Sequence, residues 1–182
     1  AQKRIYYSVT AGKEEVIEPS LMGLALINAD LSVGIESIKS YDRPDVVKSE
    51  YETCLTVSQK DVSCLDYCME REIRLTKDKA SMTVLIRVYN DGFAYRYTDV
   101  KTGREEKETV MSEASQIVLP KDTVTFAGGY SATYEFDYIE RKYSELVNHS
   151  GVFNTPVTAH TDKHWLLFSE SDVYANDISY VK

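Results

Sequence analysis

Three histidines, three cysteines and a surplus of carboxylates are the residues of this chain with chemistry to offer. His160 and His164 stand four apart, a spacing that on a helix would aim two imidazoles at one metal ion. Here they bracket Thr161-Asp162-Lys163 between two apolar runs, which reads as a β-hairpin tip with both rings facing solvent. His149 lies beside a Ser-Gly turn and adds nothing to them. Cys54, Cys64 and Cys68 would bring three thiolates to zinc, but a structural site wants four ligands and no histidine lies nearby in sequence. One disulfide with a leftover thiol suits an exported protein and three thiols a cytosolic one, so a structural role or none is the expectation. Glu105-Glu106 and Glu108 flank a glycine turn, and Glu135, Asp137 and Glu140 sit among tyrosines. A carboxylate pair can hydrolyse a glycosidic bond, but the test is their separation in space, which positions on different strands do not give. Acids beside a turn more often form a solvated edge that resists sheet-to-sheet aggregation.

The familiar catalytic signatures are missing. The sequence has no Gly-x-Ser-x-Gly elbow, no phosphate loop ending in Lys-Ser/Thr and no His-Glu-x-x-His. Gly128-Gly129 lacks the rest of a phosphate loop and reads as a turn.

The elements that position these residues must be strands. Tyr contributes 14 of the aromatic residues, against 5 Phe and 1 Trp, and β-branched residues are plentiful; both suit a pleated, half-buried surface. Gly and Pro number only 8 and 4 in 182 residues, too few for a linker-rich chain. The net charge of −8 disfavours nucleic acid and anionic lipid, and no apolar run approaches the roughly 20 residues of a membrane helix. The 43% apolar content is enough for a real core. The start, Ala1-Gln2-Lys3, fits a matured secreted protein and equally a trimmed chain.

Period-two alternation is clearest over Thr83 to Tyr89 and Phe93 to Tyr97. Val84, Ile86 and Val88 fall on one face, and Leu85, Arg87 and Tyr89 on the other. Asn90-Asp91-Gly92 between them predicts a hairpin whose Asp-Gly pair takes positive φ. Strands are also predicted at 4–9, 21–27, 51–57, 70–75, 108–111, 116–119, 123–127, 133–138, 153–159 and 165–169. Turns are predicted at Glu18-Pro19-Ser20, Asp42-Arg43-Pro44, Lys101-Thr102-Gly103, Pro120-Lys121-Asp122 and Gly128-Gly129. Ile139, Tyr143, Leu146 and Val147 repeat at helical spacing. Many short strands and little helix predict a mostly β protein, an antiparallel sandwich or barrel of one domain over residues 1–182.

The hairpin Leu85-Ile86-Arg87-Val88-Tyr89-Asn90-Asp91-Gly92-Phe93-Ala94-Tyr95-Arg96-Tyr97 resembles the most distinctive stretch of the N-terminal domain of glycoside hydrolase family 97. Val16-Ile17-Glu18-Pro19-Ser20-Leu21-Met22-Gly23-Leu24, Tyr134-Glu135, Asn154-Thr155-Pro156-Val157-Thr158 and Trp165-Leu166-Leu167-Phe168-Ser169-Glu170 are similar to further landmarks in the family's order. Together they cover about residues 5 to 180.

The resemblance implies the first domain of an exported, periplasmic or secreted, exo-acting α-glucosidase or α-galactosidase. That domain is an antiparallel β-super-sandwich, galactose-mutarotase-like, shortened in this chain. It packs on a catalytic (β/α)8 barrel that carries the catalytic carboxylates, so none is expected here. The family's calcium ion is shared between the two domains, and Glu170 matches the N-terminal ligand; Ser171 stands where Ala is usual. Calcium takes 6–8 oxygen ligands, so the isolated chain is expected to hold none tightly. The expected partners are the barrel, an α-linked oligosaccharide through it, and a second copy through an open docking face; no nucleic acid or membrane is expected.

Two other readings compete. A stand-alone carbohydrate-binding β module would use tyrosines or tryptophan as sugar platforms, but alternating tyrosines more often half-bury in a sheet. Trp165, opening an apolar strand, reads as core. A structural interaction domain is the third.

Overall fold

The computed structural model describes residues 3–41, 46–52, 63–104, 108–133, 135–171 and 180–181. In chain order the strands are β1 (Ile5–Ala11), β2 (Glu14–Met22), β3 (Leu24–Leu26), β4 (Ser37–Tyr41), β5 (Val46–Glu52), β6 (Ser63–Lys77), β7 (Ala80–Val88) and β8 (Phe93–Lys101). There follow β9 (Val110–Glu113), β10 (Val124–Ala127), β11 (Ile139–Lys142), the short helix α1 (Tyr143–Leu146), β12 (Phe153–Asn154), β13 (Val157–His160), β14 (Trp165–Phe168) and β15 (Tyr180–Val181). The protein is mostly antiparallel β, in several sheets. It divides into two compact units, Ala1–Tyr6 with Leu21–Gln116, and Tyr7–Ser20 with Ile117–Lys182.

The first unit is organised by β6, which takes β7 along one edge and two strands along the other. β4 pairs with its C-terminal half, Ser37 opposite Thr76, and β5 with its N-terminal half, Val46 opposite Met69. β7 continues into β8 through the predicted hairpin, and Val88 lies opposite Phe93. The turn differs from expectation. Neither Asp91 nor Gly92 has positive φ. Residues 89–92 form a longer loop, closed by the Tyr89 N–H donating to the Gly92 carbonyl at 2.8 Å, which needs no left-handed residue. Positive φ appears instead at Asp99 (50°), where the β7–β8 register slips. An extra residue there bends the strand as a bulge does.

Cross-strand partners share a face, so the register shows where the first core lies. Leu75 opposite Met82 is fully buried, and Val84 opposite Ile73 nearly so. Further along the same face Met69 opposite Val88, with Val46 beyond, is about half exposed (49%, 48% and 49%). The face thus runs from core to open apolar surface.

In the second unit β10 is flanked by β11 and β13, and β14 closes the four-stranded sheet as its last strand. One core gathers Ile17, Leu119 and Ala159 with Tyr7, Val9, Ile117, Tyr143, Leu166 and Phe168; another joins Ala127, Phe153 and Val157 with Leu146 and Phe168.

Several local expectations are corrected. Glu18-Pro19-Ser20 is strand, not turn. The Glu18 N–H donates to the Val118 carbonyl at 2.8 Å, and the Ser20 Oγ accepts the Val118 N–H at 2.8 Å, so residues on both sides of Pro19 bond to Val118 and the pairing needs no N–H from the proline. Residues 116–119 supply only that single bridge rather than a strand. The described part of 133–138 is not strand either, and the pairing begins at Ile139. The helical spacing after Ile139 yields one turn, because residues 139–142 pair with β10 first. Pro156 splits the strand predicted at 153–159 into β12 and β13. Residues 53–57 and Asp42-Arg43-Pro44 lie outside the described residues, while β4, β15, the start of β2 and most of β5 are strands that the sequence did not predict.

Candidate functional site

The candidate histidines, cysteines and carboxylates occupy different local settings. The His160–His164 segment is a hairpin tip, with the Thr161 N–H bonded to the His164 carbonyl at 2.9 Å. Both histidines are half-buried rather than exposed. His160 packs against Trp165, whereas His164 Nε2 sits 3.6 Å from Glu14 Oε2, beside Lys163 Nζ at 3.3 Å from the same oxygen. Glu135, Asp137 and Glu140 are exposed. Glu105, Glu106 and Tyr134 lie outside the described residues.

Cys64 and Cys68 are unbridged thiols on one face of β6, and Cys54 lies outside the described residues. That face carries a charge cluster the sequence reading missed. Arg87, directly opposite Glu70, donates from Nε to Glu70 Oε2 at 2.7 Å and from Nη1 to Asp66 Oδ2 at 3.1 Å. The hydrogen bond to Glu70 and a second to Tyr89 hold the guanidinium still more firmly charged than usual. Burial pushes the Tyr89 phenol up, Arg87 works against it, and Cys68 and Asp66 add to the rise. The two carboxylates are thereby committed to one cation. This is a structural cluster, with no acid–base pair free for catalysis.

At the other end of the β6–β7 hairpin a cleft of about 650 Å³ is lined by Asn28, Asp30, Lys77, Lys79, Thr102 and Arg104, among others. Asp30 takes hydrogen bonds from the Ser32 N–H (2.9 Å) and hydroxyl (2.5 Å). Burial would raise its carboxyl, but those bonds and the charges of Lys77 and Arg4 outweigh it and leave the value lowered. Lys77 Nζ donates to the Asp30 carbonyl at 2.8 Å, and Arg104 Nη1 to Asn28 Oδ1 at 2.9 Å. Glu108, a candidate acid of the sequence, accepts from Thr102 and Asn28. The cleft's polar groups largely satisfy one another.

Glu170 follows β14 and is exposed. Among the described residues no group of three or more His, Cys, Asp or Glu side chains could hold a metal ion. One exposed carboxylate fits a shared calcium site as a single ligand and does not fit a self-contained one.

Trp165 contradicts its expected place in the core. It is 65% exposed, and Leu167 on the same face is 67% exposed, while Leu166 and Phe168 turn inward. The indole packs against Phe126 (ring centroids 5.8 Å, interplanar angle 26°) and His160 (4.3 Å, 32°). Alternation along 165–168 already put Trp165 opposite Leu166; which face met the core was the missing information.

Comparison with known proteins gives this fold a family. The model for the Glycosyl-hydrolase 97 N-terminal family matches residues 1–182. A "Probable retaining alpha-galactosidase" of Streptomyces bingchenggensis (strain BCW-1) is 27% identical over 173 residues, 91% of this chain and 24% of that protein. A solved beta-arabinopyranosidase is similar in fold, with a TM-score of 0.73 and 19% identity over 91% of this chain and 28% of its own. The chain therefore spans about a quarter of the length of these two relatives. With strands, register and landmark segments in place and the match running from end to end, the chain belongs to the glycoside hydrolase family 97 N-terminal domain family.

Proposed function

We propose that this chain is the accessory N-terminal part of an exported glycosidase acting on α-linked sugars, which packs on a catalytic barrel and lends Glu170 to a calcium site beside the cleavage point. The family match over residues 1–182 carries the reading. The exposed carboxylate after β14 supports the calcium role, and the open apolar row Val46, Met69 and Val88 supports docking. Such a row on a sheet is a surface that a larger neighbour can cover. Bound between the parts, calcium would polarise water or a sugar oxygen. Glu170 supplies negative charge and oxygen ligands from this side, and by bridging the parts it fixes their relative position.

The test compares hydrolysis of an aryl α-galactoside by the 182-residue chain and by the polypeptide that carries it with the barrel. The chain alone should be inactive. In the longer polypeptide Glu170→Gln should raise the calcium concentration for half-maximal activity about ten-fold, the effect of removing one charged ligand. Hydrolysis by the isolated chain, or an unchanged calcium requirement in the variant, would overturn the reading.

A further inference from the structure

The outer face of the sheet β11-β10-β13-β14 forms a small ordered grid. One row reads Trp165, His160, Val124 and Lys142, and the next Leu167, Thr158, Phe126 and Glu140. Within it Trp165 stacks on Phe126 at 26° and packs against His160 with its ring tilted by 32°. These two rings support the indole, yet the residue remains 65% exposed. The 65% exposed indole, held by two rings, offers aromatic surface to solvent, and the packing restricts its orientation before any ligand arrives.

We propose that this grid is a carbohydrate-binding platform on which a pyranose ring stacks against Trp165. The C–H bonds on one side of a pyranose make an apolar plate, and its hydroxyls lie around the rim. An aromatic tile flanked by donors and acceptors matches both parts. Thr158, Glu140 and Lys142 share the tile's face and supply a hydroxyl, a carboxylate and an ammonium. From β14 to β11 is three interstrand spacings, about 14 Å, which gives a second linked ring room to reach the polar end. The two opposite charges at that end suit a neutral glycan better than an anionic one. The inference rests on ring geometry and register, and it stands whether or not Glu170 binds calcium.

Trp165 is the chain's single tryptophan, so its fluorescence reports on this site alone. Melibiose, an α-linked galactosyl disaccharide, is titrated into the 182-residue chain, with maltose as a second sugar and sorbitol as an acyclic control. A saturable emission change with a midpoint of about millimolar concentration is expected for at least one sugar, the strength of a small stacked ligand. Saturation-transfer NMR on the sugar C–H protons should fall at least about five-fold in Trp165→Ala and partly recover in Trp165→Phe, since stacking needs a ring. Glu140→Ala should weaken binding several-fold with the indole intact. Circular dichroism checks that each variant folds. An equal response to sorbitol, no saturable response to either sugar, or full NMR transfer in Trp165→Ala would overturn the proposal. So would protection of Trp165 from N-bromosuccinimide oxidation in the longer polypeptide, read by peptide mapping, which would show the face covered by protein.

Discussion

The phenol oxygen of Tyr97 accepts the backbone N–H of Gly23 at 3.0 Å, joining the end of the hairpin segment to the segment that begins near Val16. The same oxygen shares a 2.7 Å hydrogen bond with Ser115 Oγ. Gly23 is buried, and a Cβ built on it would lie 2.4 Å from the Ser32 Cα. The two landmark segments thus meet at a point where both side-chain size and hydrogen bonding are tightly specified.

Tyr97→Phe should destabilise the chain by about 1–3 kcal/mol in urea unfolding, because a buried N–H loses its acceptor and water cannot replace it. Gly23→Ala should cost about as much through a backbone clash that no rotamer change relieves. A loss below about 0.5 kcal/mol in both would show that the contact is not needed.

Arg87→Ala should be more damaging, at about 2–4 kcal/mol, since it leaves Asp66 and Glu70 facing each other's charge with side chains only 18% and 16% exposed. Arg87→Lys should recover part of this: one ammonium can meet a carboxylate but cannot reproduce the two-armed fork. Thermal unfolding of the two variants side by side measures the difference.

Asp30 gives a pH signature. Its carboxyl is held below the ordinary value of 3.8, so the folded state favours the ionised form. A lowered carboxylate contributes its stability in full above the unfolded value and loses it as pH falls through the folded one. Asp30→Asn should therefore cost about 1 kcal/mol at neutral pH, a figure kept small by solvent screening. The gap between wild type and variant should close as unfolding is repeated below the ordinary carboxylate value. A gap that persists unchanged in acid would assign the effect to packing.

Ser20→Ala probes the proline-containing strand. Ser20 is fully buried, donating to the Glu18 carbonyl at 2.7 Å and accepting the Val118 N–H at 2.8 Å. Removing the hydroxyl should cost about 1–3 kcal/mol, measured as a lower urea midpoint. Ser20→Thr should not rescue it, because the added methyl has no space at a fully buried site.

The fold class and one hairpin were legible in the chain itself. Alternation over 83–97 with a polar break names a hairpin whatever the surroundings, because side chains on a strand alternate by geometry alone. The landmark segments named the family for the same local reason. The details that need a second strand were not legible. Pro19 looked like a turn because its missing N–H is visible in sequence, whereas Val118, which bonds to the residues on both sides of it, lies 98 residues from Ser20. Asn90-Asp91-Gly92 marked a turn correctly, but not its φ angles, which depend on how the loop closes. Arg87 looked like one polar residue among alternating ones until register placed it against Glu70 and Asp66. Trp165 shows the division most plainly. Its sequence fixes that it and Leu166 point to opposite sides, but only packing decides which side meets the core, because alternation has no sign until one face is covered.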